Sequence, residues 1–365
     1  MPKNCFMKKI FAFFGAIALS LSVFAQTEYT FTTYRNVVNN GYDFWISTPD
    51  DYAVKKSEMP VILFLHGHSL CGTDLNRVRK YGCLDAISMG RDIDALIIAP
   101  QNPGGPWNPD KLMNVLNWVK NRFEMDTDRI YVIGMSQGGY GTFDLVAAHP
   151  EPFAAAMALC GGKSRGDVCG LNTLPFWILH GNADNAVPLS QSQIVVDAMK
   201  KCGPTNMLRF DKLNGYNHSQ LAKVFYIPET YEWLLSHNRK VKKVNKDIKI
   251  TTEKLNNAYQ DIDRSSNKII VRDNSRNAPE PMEGRGETVT AQDSLAKIAN
   301  EVVQPAPKAK PAPAPAKKPT VHVVKKGDTL SAIARKYHTT VAKLCKINHI
   351  KETSILSLGQ RIKVR

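Results

Sequence analysis

The 365-residue sequence predicts an α/β fold, a mostly parallel sheet with flanking helices, followed by a small separate α+β module. Three observations carry this reading. From about residue 28, short apolar runs alternate with helix-length amphipathic stretches, the pattern of buried strands joined by helices. Composition changes abruptly after His237. Residues 321–365 then regain the spacing of a strand, two helices and a strand.

In chain order, residues 1–25 read as a signal peptide. Lys3, Lys8 and Lys9 precede an apolar run from Ile10 to Phe24, and Val23 and Ala25 stand at the −3 and −1 positions of a small-residue cleavage site. An uncleaved anchor is the alternative, but the run is short for a bilayer. No later stretch is apolar enough to cross a membrane, so export to a periplasm or cell surface without a stable span is expected. A hairpin follows, Tyr29–Arg35 and Tyr42–Ser47, turning at Asn39-Asn40-Gly41. The buried-strand candidates are Val61–Leu65, Ala95–Ala99, Ile130–Ile133, Ala154–Leu159, Phe176–Leu179 and Met207–Phe210. Helices are expected over Asp110–Phe123, Gly139–Ala148 and Pro188–Met199, and a last one over Leu221–Leu235.

Residues 26–238 therefore form one domain. Across 239–320 the only aromatic residue is Tyr259, too little to build a core, and a disordered linker is expected. Its end, Pro305–Pro319, contains only Pro, Ala and Lys. That composition makes a stiff polyproline-like spacer of roughly 45 Å. Residues 289–299 echo Val324–Ala334 in Val, Asp, Leu, Ile and Ala. Either a relic half-module or a short amphipathic helix accounts for them.

Charge separates the two halves. The whole chain carries +15, yet residues 26–238 hold 18 basic against 21 acidic side chains, and residues 239–365 hold 27 against 12. The cationic tail should seek anionic polymers such as a cell wall or a lipopolysaccharide surface; export argues against nucleic acid as a partner. Export would leave six cysteines, and sequence proximity suggests Cys71 with Cys83 and Cys160 with Cys169 as pairs. No Cys or His cluster has metal-ligand spacing, so neither metal nor cofactor is expected.

The chemistry concentrates at Ile130-Tyr131-Val132-Ile133-Gly134-Met135-Ser136-Gln137-Gly138-Gly139, a strand, a sharp turn and a helix start. Acyl transfer by serine needs an exposed Oγ on a strained turn flanked by glycine. The helix N-terminus beyond it offers backbone N–H groups to a developing oxyanion. Val61–Leu65 runs into His66-Gly67-His68, so the N–H of His68 is the candidate second oxyanion donor beside that of Gln137. Asp184 follows the strand ending at Leu179, and His218 follows the last strand. The order Ser136, Asp184, His218 is nucleophile, acid, base. His66 and His180 are expected to brace turns, Asp144 to point away from the nucleophile, and Cys160 to be structural. Trp107, in Pro103-Gly104-Gly105-Pro106-Trp107, either presents a face to a sugar or acyl group or covers the core edge.

Residues 28–238 resemble the secreted esterases and predicted peptidases of the α/β-hydrolase superfamily, related to feruloyl and acetyl esterases and polyhydroxyalkanoate depolymerases. The matching stretches are Leu65-His66-Gly67, Gly72-Thr73-Asp74, Ala99-Pro100-Gln101, Asp126–Tyr131 leading into the Ser136 turn, Tyr140–Asp144 leaving it, Phe153–Ala156, Cys160-Gly161-Gly162, and His180-Gly181 with Asp184. The resemblance implies Ser136, Asp184 and His218 as a catalytic triad. It departs at His68-Ser69, where smaller residues are common, and at Gln137, where methionine is common. The domain lacks a long insertion that would form a lid, which argues against a lipase.

The C-terminal module, Val321-His322-Val323-Val324 through Gly327-Asp328-Thr329-Leu330, Ile333–Tyr337, Thr340–Leu344, Asn348, Ile350 and Gly359–Val364, resembles LysM. The resemblance implies binding of glycans containing N-acetylglucosamine, such as peptidoglycan. The groove is implied between the turn Gly327, Asp328, Thr329, Leu330 and the loop after Asn348, from Ile350 to Leu356, although Asp328 and Asn348 serve equally well as helix caps. Together these features predict a secreted serine hydrolase, an esterase on a small ester or acylated glycan. The rivals are a serine peptidase of the same fold and a wall-binding scaffold with an inactive domain.

Overall fold

The computed structural model describes residues 26–241, 243–274, 278–282, 321–324, 328, 330–337, 339, 341–348, 350 and 360–364. The expected signal peptide, the Pro/Ala/Lys spacer and the 289–299 echo lie outside these residues. The chain divides into two compact units, Met1–Val289 and Thr290–Arg365.

The first unit is a nine-stranded sheet. Its strands are β1 (Thr27–Tyr34), β2 (Phe44–Pro49), β3 (Val61–Leu65), β4 (Leu96–Pro100), β5 (Ile130–Met135), β6 (Ala155–Leu159), β7 (Phe176–Gly181), β8 (Leu208–Leu213) and β9 (Asn267–Asp273), in the order β8-β7-β6-β5-β3-β4-β2-β1-β9. β2 runs antiparallel to both neighbours, and every other pairing is parallel. Among the described residues seven α-helices accompany it: α1 (Tyr52–Lys55), α2 (Cys83–Met89), α3 (Pro109–Arg122), α4 (Gln137–Ala148), α5 (Ser190–Cys202), α6 (Pro228–Leu235) and α7 (Thr252–Asn256).

The unbroken apolar runs have a simple cause. In β3, Ile62 and Phe64 enter one core, while Val61, Leu63 and Leu65 enter the other. β5 divides likewise, with Tyr131, Ile133 and Met135 on one side and Ile130 and Val132 on the other. A strand covered on both faces has no polar side to alternate with.

Two expectations fail here. The last helix is split, because Pro228 supplies no N–H and starts α6 afresh after a 3-10 segment over Ser219–Tyr226. The boundary after 238 also moves. Residues past it fold onto the domain: Ile250, Leu255 and Ala258 are buried, Tyr259 packs on Tyr226, and β9 pairs in parallel with β1. A segment that extends an existing sheet needs few apolar residues of its own, because the backbone ladder does the rest. Low aromatic content was the wrong criterion for 239–274.

The cysteines also correct the reading. The bond is Cys169–Cys202, spanning 33 residues, whereas Cys71, Cys83 and Cys160 are free. Sequence proximity fails because Cys160 is buried in the core just after β6, while Cys169 reaches the end of α5.

In the second unit, β10 (Val321–Val323) pairs antiparallel with β11 (Arg361–Lys363), and the helices Leu330–Lys336 and Val341–Asn348 lie between them in the chain. Val324, Ile333, Leu344, Ile362 and Val364 form its core.

Candidate active site

The site lies beyond the carboxyl ends of β3, β4, β5, β7 and β8, where ligands bind in open α/β sheets. Ser136 sits between β5 and α4 with φ 58° and ψ −121°. That is a left-handed region strained for a residue with a Cβ, and it persists because the surroundings over-determine it. A Cβ on Gly138 would stand 1.8 Å from the carbonyl oxygen of Leu65, and one on Gly134 2.2 Å from that of Gly138. The Ser136 N–H donates to Leu159 O at 2.9 Å, and Tyr140 N–H opens the helix on Ser136 O at 3.0 Å.

Three residues from three strand ends meet. His218 Nε2 lies 2.9 Å from Ser136 Oγ, and His218 Nδ1 lies 2.7 Å from Asp184 Oδ2. The other Asp184 oxygen accepts the N–H groups of Ala186 and Val187 at 2.9 and 2.8 Å. The Asp184 side chain is fully buried and His218 a quarter exposed, so one end of the chain of contacts is dry and the other opens outward. The carboxylate holds the proton on Nδ1, which leaves the Nε2 lone pair for the serine hydroxyl.

His68 and Gln137 stand side by side. Among the described residues neither spends its N–H on a backbone carbonyl. The Gln137 amide ties three loops together: its oxygen lies 3.0 Å from His68 Nδ1 and 3.7 Å from Cys71 Sγ, and its nitrogen donates to Gly105 O. That cross-link, which methionine could not make, gives the departure at Gln137 a structural use. The turn before His68 is held from outside, for Gly67 N–H donates to Tyr81 Oη at 2.6 Å. Burial pushes Tyr81 up to about 12, so it stays a neutral phenol.

The neighbouring histidines are braces, as expected. His66 accepts the N–H of Asn102 on Nε2 and faces Gly67 O with Nδ1, and burial lowers it to about 4. His180 Nδ1 lies 2.7 Å from Ser192 Oγ and its Nε2 lies 2.8 Å from Val187 O, holding the Asp184 loop; burial lowers it as well. Cys160 lies beside the triad, but burial and then the Asp184 charge raise its pKa, keeping it a thiol rather than a rival nucleophile.

A cavity of about 400 Å³ adjoins Ser136, walled by Trp107, Tyr140, Gly141 and Asp144. Trp107 covers the core edge and also borders the cavity. It is 3% exposed, its indole N–H donates to His66 O at 3.1 Å, and it also lines the cavity. Gly141 makes room for it, since a Cβ there would come within 2.7 Å of the indole. Asp144 was expected to point away. It does avoid the histidine, yet it faces this cavity. Tyr81 does not stand out in the sequence, because its place follows from a loop folding over it.

In the C-terminal unit, Gly327 and Thr329 lie outside the described residues. Asp328 is 2.8 Å from His322 Nε2, whose Nδ1 is 3.1 Å from Tyr337 Oη. Leu330 is buried, and Ile350 packs against the small core. The Asn348 side chain donates to Leu344 O and Lys363 O and accepts from Lys363 N–H, so it clamps helix to strand. Both amide N–H groups and one lone pair of the oxygen are thus engaged in bracing the module.

A parallel sheet with a serine on a strand–turn–helix, faced by a histidine and a buried carboxylate, defines the α/β-hydrolase class of serine hydrolases. Residues 102–162 match the prolyl oligopeptidase family, and residues 322–365 match the LysM domain. Acetylxylan esterase A of Emericella nidulans is 33% identical over 70 residues, 19% of this chain and 22% of that protein. The probable acetylxylan esterase A of Aspergillus flavus is 29% identical over the same length and shares. The match thus spans about a fifth of these curated relatives. Among solved structures, a thermostable esterase is 24% identical, with a TM-score of 0.45, covering 56% of this chain and 62% of that one. The chain has the fold of an α/β-hydrolase, and its residues 322–365 match LysM.

Proposed function

We propose that the chain is a secreted carboxylic-ester hydrolase that acts through an acyl-enzyme on Ser136 and is held by LysM to peptidoglycan or another glycan containing N-acetylglucosamine. The observation that carries the catalytic part is the 2.9 Å contact from Ser136 Oγ to His218 Nε2, backed by Asp184. His218 takes the serine proton as the Oγ–C bond forms, and the N–H groups of Gln137 and His68 receive the oxyanion. His218 then gives that proton to the leaving alcohol as the C–O bond breaks. Water repeats the two steps in reverse roles and frees the acid. The likeness to acetylxylan esterases favours an acylated glycan as substrate. In this reading residues 1–25 are removed on export, the hydrolase domain extends from 26 to at least 274, and the spacer before 321 gives LysM its reach.

Ser136→Ala should lower p-nitrophenyl acetate turnover by a factor on the order of 10⁴ or more. Unchanged turnover, or failure of a fluorophosphonate to label the wild-type serine, would favour the inactive scaffold. The match to the prolyl oligopeptidase family favours a second reading as a peptidase, and chromogenic peptides set against acetylated xylan separate the two. The tether is tested by pull-down on purified peptidoglycan with and without residues 305–365. Equal retention of the shortened chain would refute it.

A further inference from the structure

The cavity beside Ser136 has an uneven lining. Trp107, Tyr140, Pro106 and Val187 make it largely apolar, and Asp144 is the one acidic group among its walls. Asp144 is 5% exposed, which is unusual for a carboxylate without a cationic partner. One of its oxygens, Oδ1, is engaged: it accepts the N–H groups of Ser164 and Arg165 at 3.0 and 3.1 Å. These two bonds fix the carboxylate against the loop after β6. Among the described residues Oδ2 accepts no hydrogen bond and Asp144 makes no ion pair. Among the described residues no Lys, Arg or His lines the cavity, and Arg165 contributes its N–H while its own side chain is exposed.

A carboxylate fixed by two backbone donors, with its other oxygen unbonded at the wall of a largely apolar pocket, suits a ligand that brings a cation. Burying a charge is costly unless it is paired. The aromatic walls add to the preference, since indole and phenol faces attract cations. The spacing gives the ligand's length. Asp144 follows Ser136 by eight residues of α4, about 12 Å along the helix axis. Once the two side chains are allowed for, the gap suits an aliphatic arm of about the length of a lysine side chain.

We propose that Asp144 is a specificity-determining residue, selecting substrates in which one arm of the scissile bond carries a terminal ammonium two helix turns from the reacting carbonyl. This rests on Ser136 being the nucleophile. The Asp144 carboxylate binds the ammonium with Oδ2, the arm lies between Trp107 and Tyr140, and the carbonyl is thereby delivered to Ser136. Asp144 does not take part in bond-making. Its contribution is to the affinity and placement of the charged arm.

The test uses the full-length chain and matched ester pairs. For the acyl arm these are the p-nitrophenyl esters of 6-aminohexanoate and hexanoate, and for the alcohol arm 6-aminohexyl acetate and hexyl acetate. The readout is the ratio of kcat/KM within each pair. One pair should show a preference of about 10-fold or more for the ammonium, and Asp144→Asn should bring that ratio near one. Asparagine keeps an oxygen for the Ser164 and Arg165 N–H groups, so the loop remains held, and a thermal melt verifies folding. No preference in either pair, or a preference that the variant retains, overturns the proposal. Calorimetry with hexylammonium, with hexanol as control, reads the pocket even if no ester is turned over. Binding by the wild type that Asp144→Asn abolishes supports the proposal, and binding the variant keeps, or none by the wild type, refutes it. Absence of all hydrolysis would instead count against the esterase reading.

Discussion

The triad and the cavity beside it share Ser136, yet they are built from different materials. Ser136 directly follows β5, and Asp184 and His218 stand in the short loops that leave β7 and β8, strands whose registers are fixed by paired neighbours in one sheet. The cavity is walled by residues 105–107, by one face of α4 and by Ser164 in the loop after β6. A sheet positions its strand ends to within a side chain's tolerance, so residues at those ends can perform bond-making chemistry. Loops carry less positional constraint, and here they shape what the chemistry receives. On the proposed reading, the difference divides the molecule into a part that decides whether a reaction happens and a part that decides on what.

The largest effect expected after that of Ser136→Ala sharpens that division. Asp184→Asn keeps the shape of the site but offers an amide where His218 Nδ1 needs an acceptor for its proton, so the imidazole turns its Nε2 proton toward the serine. Turnover of a small neutral ester should fall about 10³–10⁴-fold, with little change in KM. Stopped assays at saturating substrate measure it. A fall smaller than tenfold would mean that Asp184 does not orient the base, and the triad reading would have to be rebuilt around another acid.

The sequence disclosed these two parts to different degrees, and for a physical reason. β3 through β8 were readable because strands buried on both faces must be apolar throughout, and the Gly134–Gly138 turn because no side chain fits between β5, α4 and Leu65. The order of Ser136, Asp184 and His218 then followed from where strands end. Asp144 was misjudged because a helical position eight residues past the serine gives a direction but not the loop that folds against it. The Cys169–Cys202 bond was missed because it depends on the approach of α5 to a loop, not on closeness in the chain. β9 was missed because its few apolar residues are sufficient only when a sheet edge already exists.

A second effect acts on the cavity wall rather than on the triad. His66 supports that wall: its ring lies edge-on to Trp107 at 5.0 Å, and its Nε2 holds the Asn102 N–H at the start of the loop. Burial lowers its pKa from the ordinary 6.5 to about 4. Between those values the unfolded chain takes up a proton that the folded chain refuses, so stability falls as pH falls. The loss should approach about 1.4 kcal/mol per pH unit for this histidine and total on the order of 3 kcal/mol by pH 4. His180 and His237, both lowered by burial, add in the same direction. Thermal melts between pH 8 and pH 5 should therefore show a midpoint that is flat above about 6.5 and declines below it. A midpoint that rises on acidification would contradict a neutral, buried His66.

The smallest effect lies on the border between the two parts, at Tyr81. Its hydroxyl accepts the Gly67 N–H at 2.6 Å and so fixes the turn that presents His68. Tyr81→Phe removes the acceptor and leaves that N–H without its partner, a penalty of about 1–3 kcal/mol, while the ring keeps its edge contact with Phe64. If the turn does no more than support the fold, the penalty appears as a lower melting midpoint with turnover unchanged. If the His68 N–H receives the oxyanion, part of the penalty is felt only as charge develops on the carbonyl oxygen, and kcat falls about tenfold at constant KM. The ratio of these two losses therefore measures how far the oxyanion donor belongs to the rigid sheet and how far to the adaptable loops.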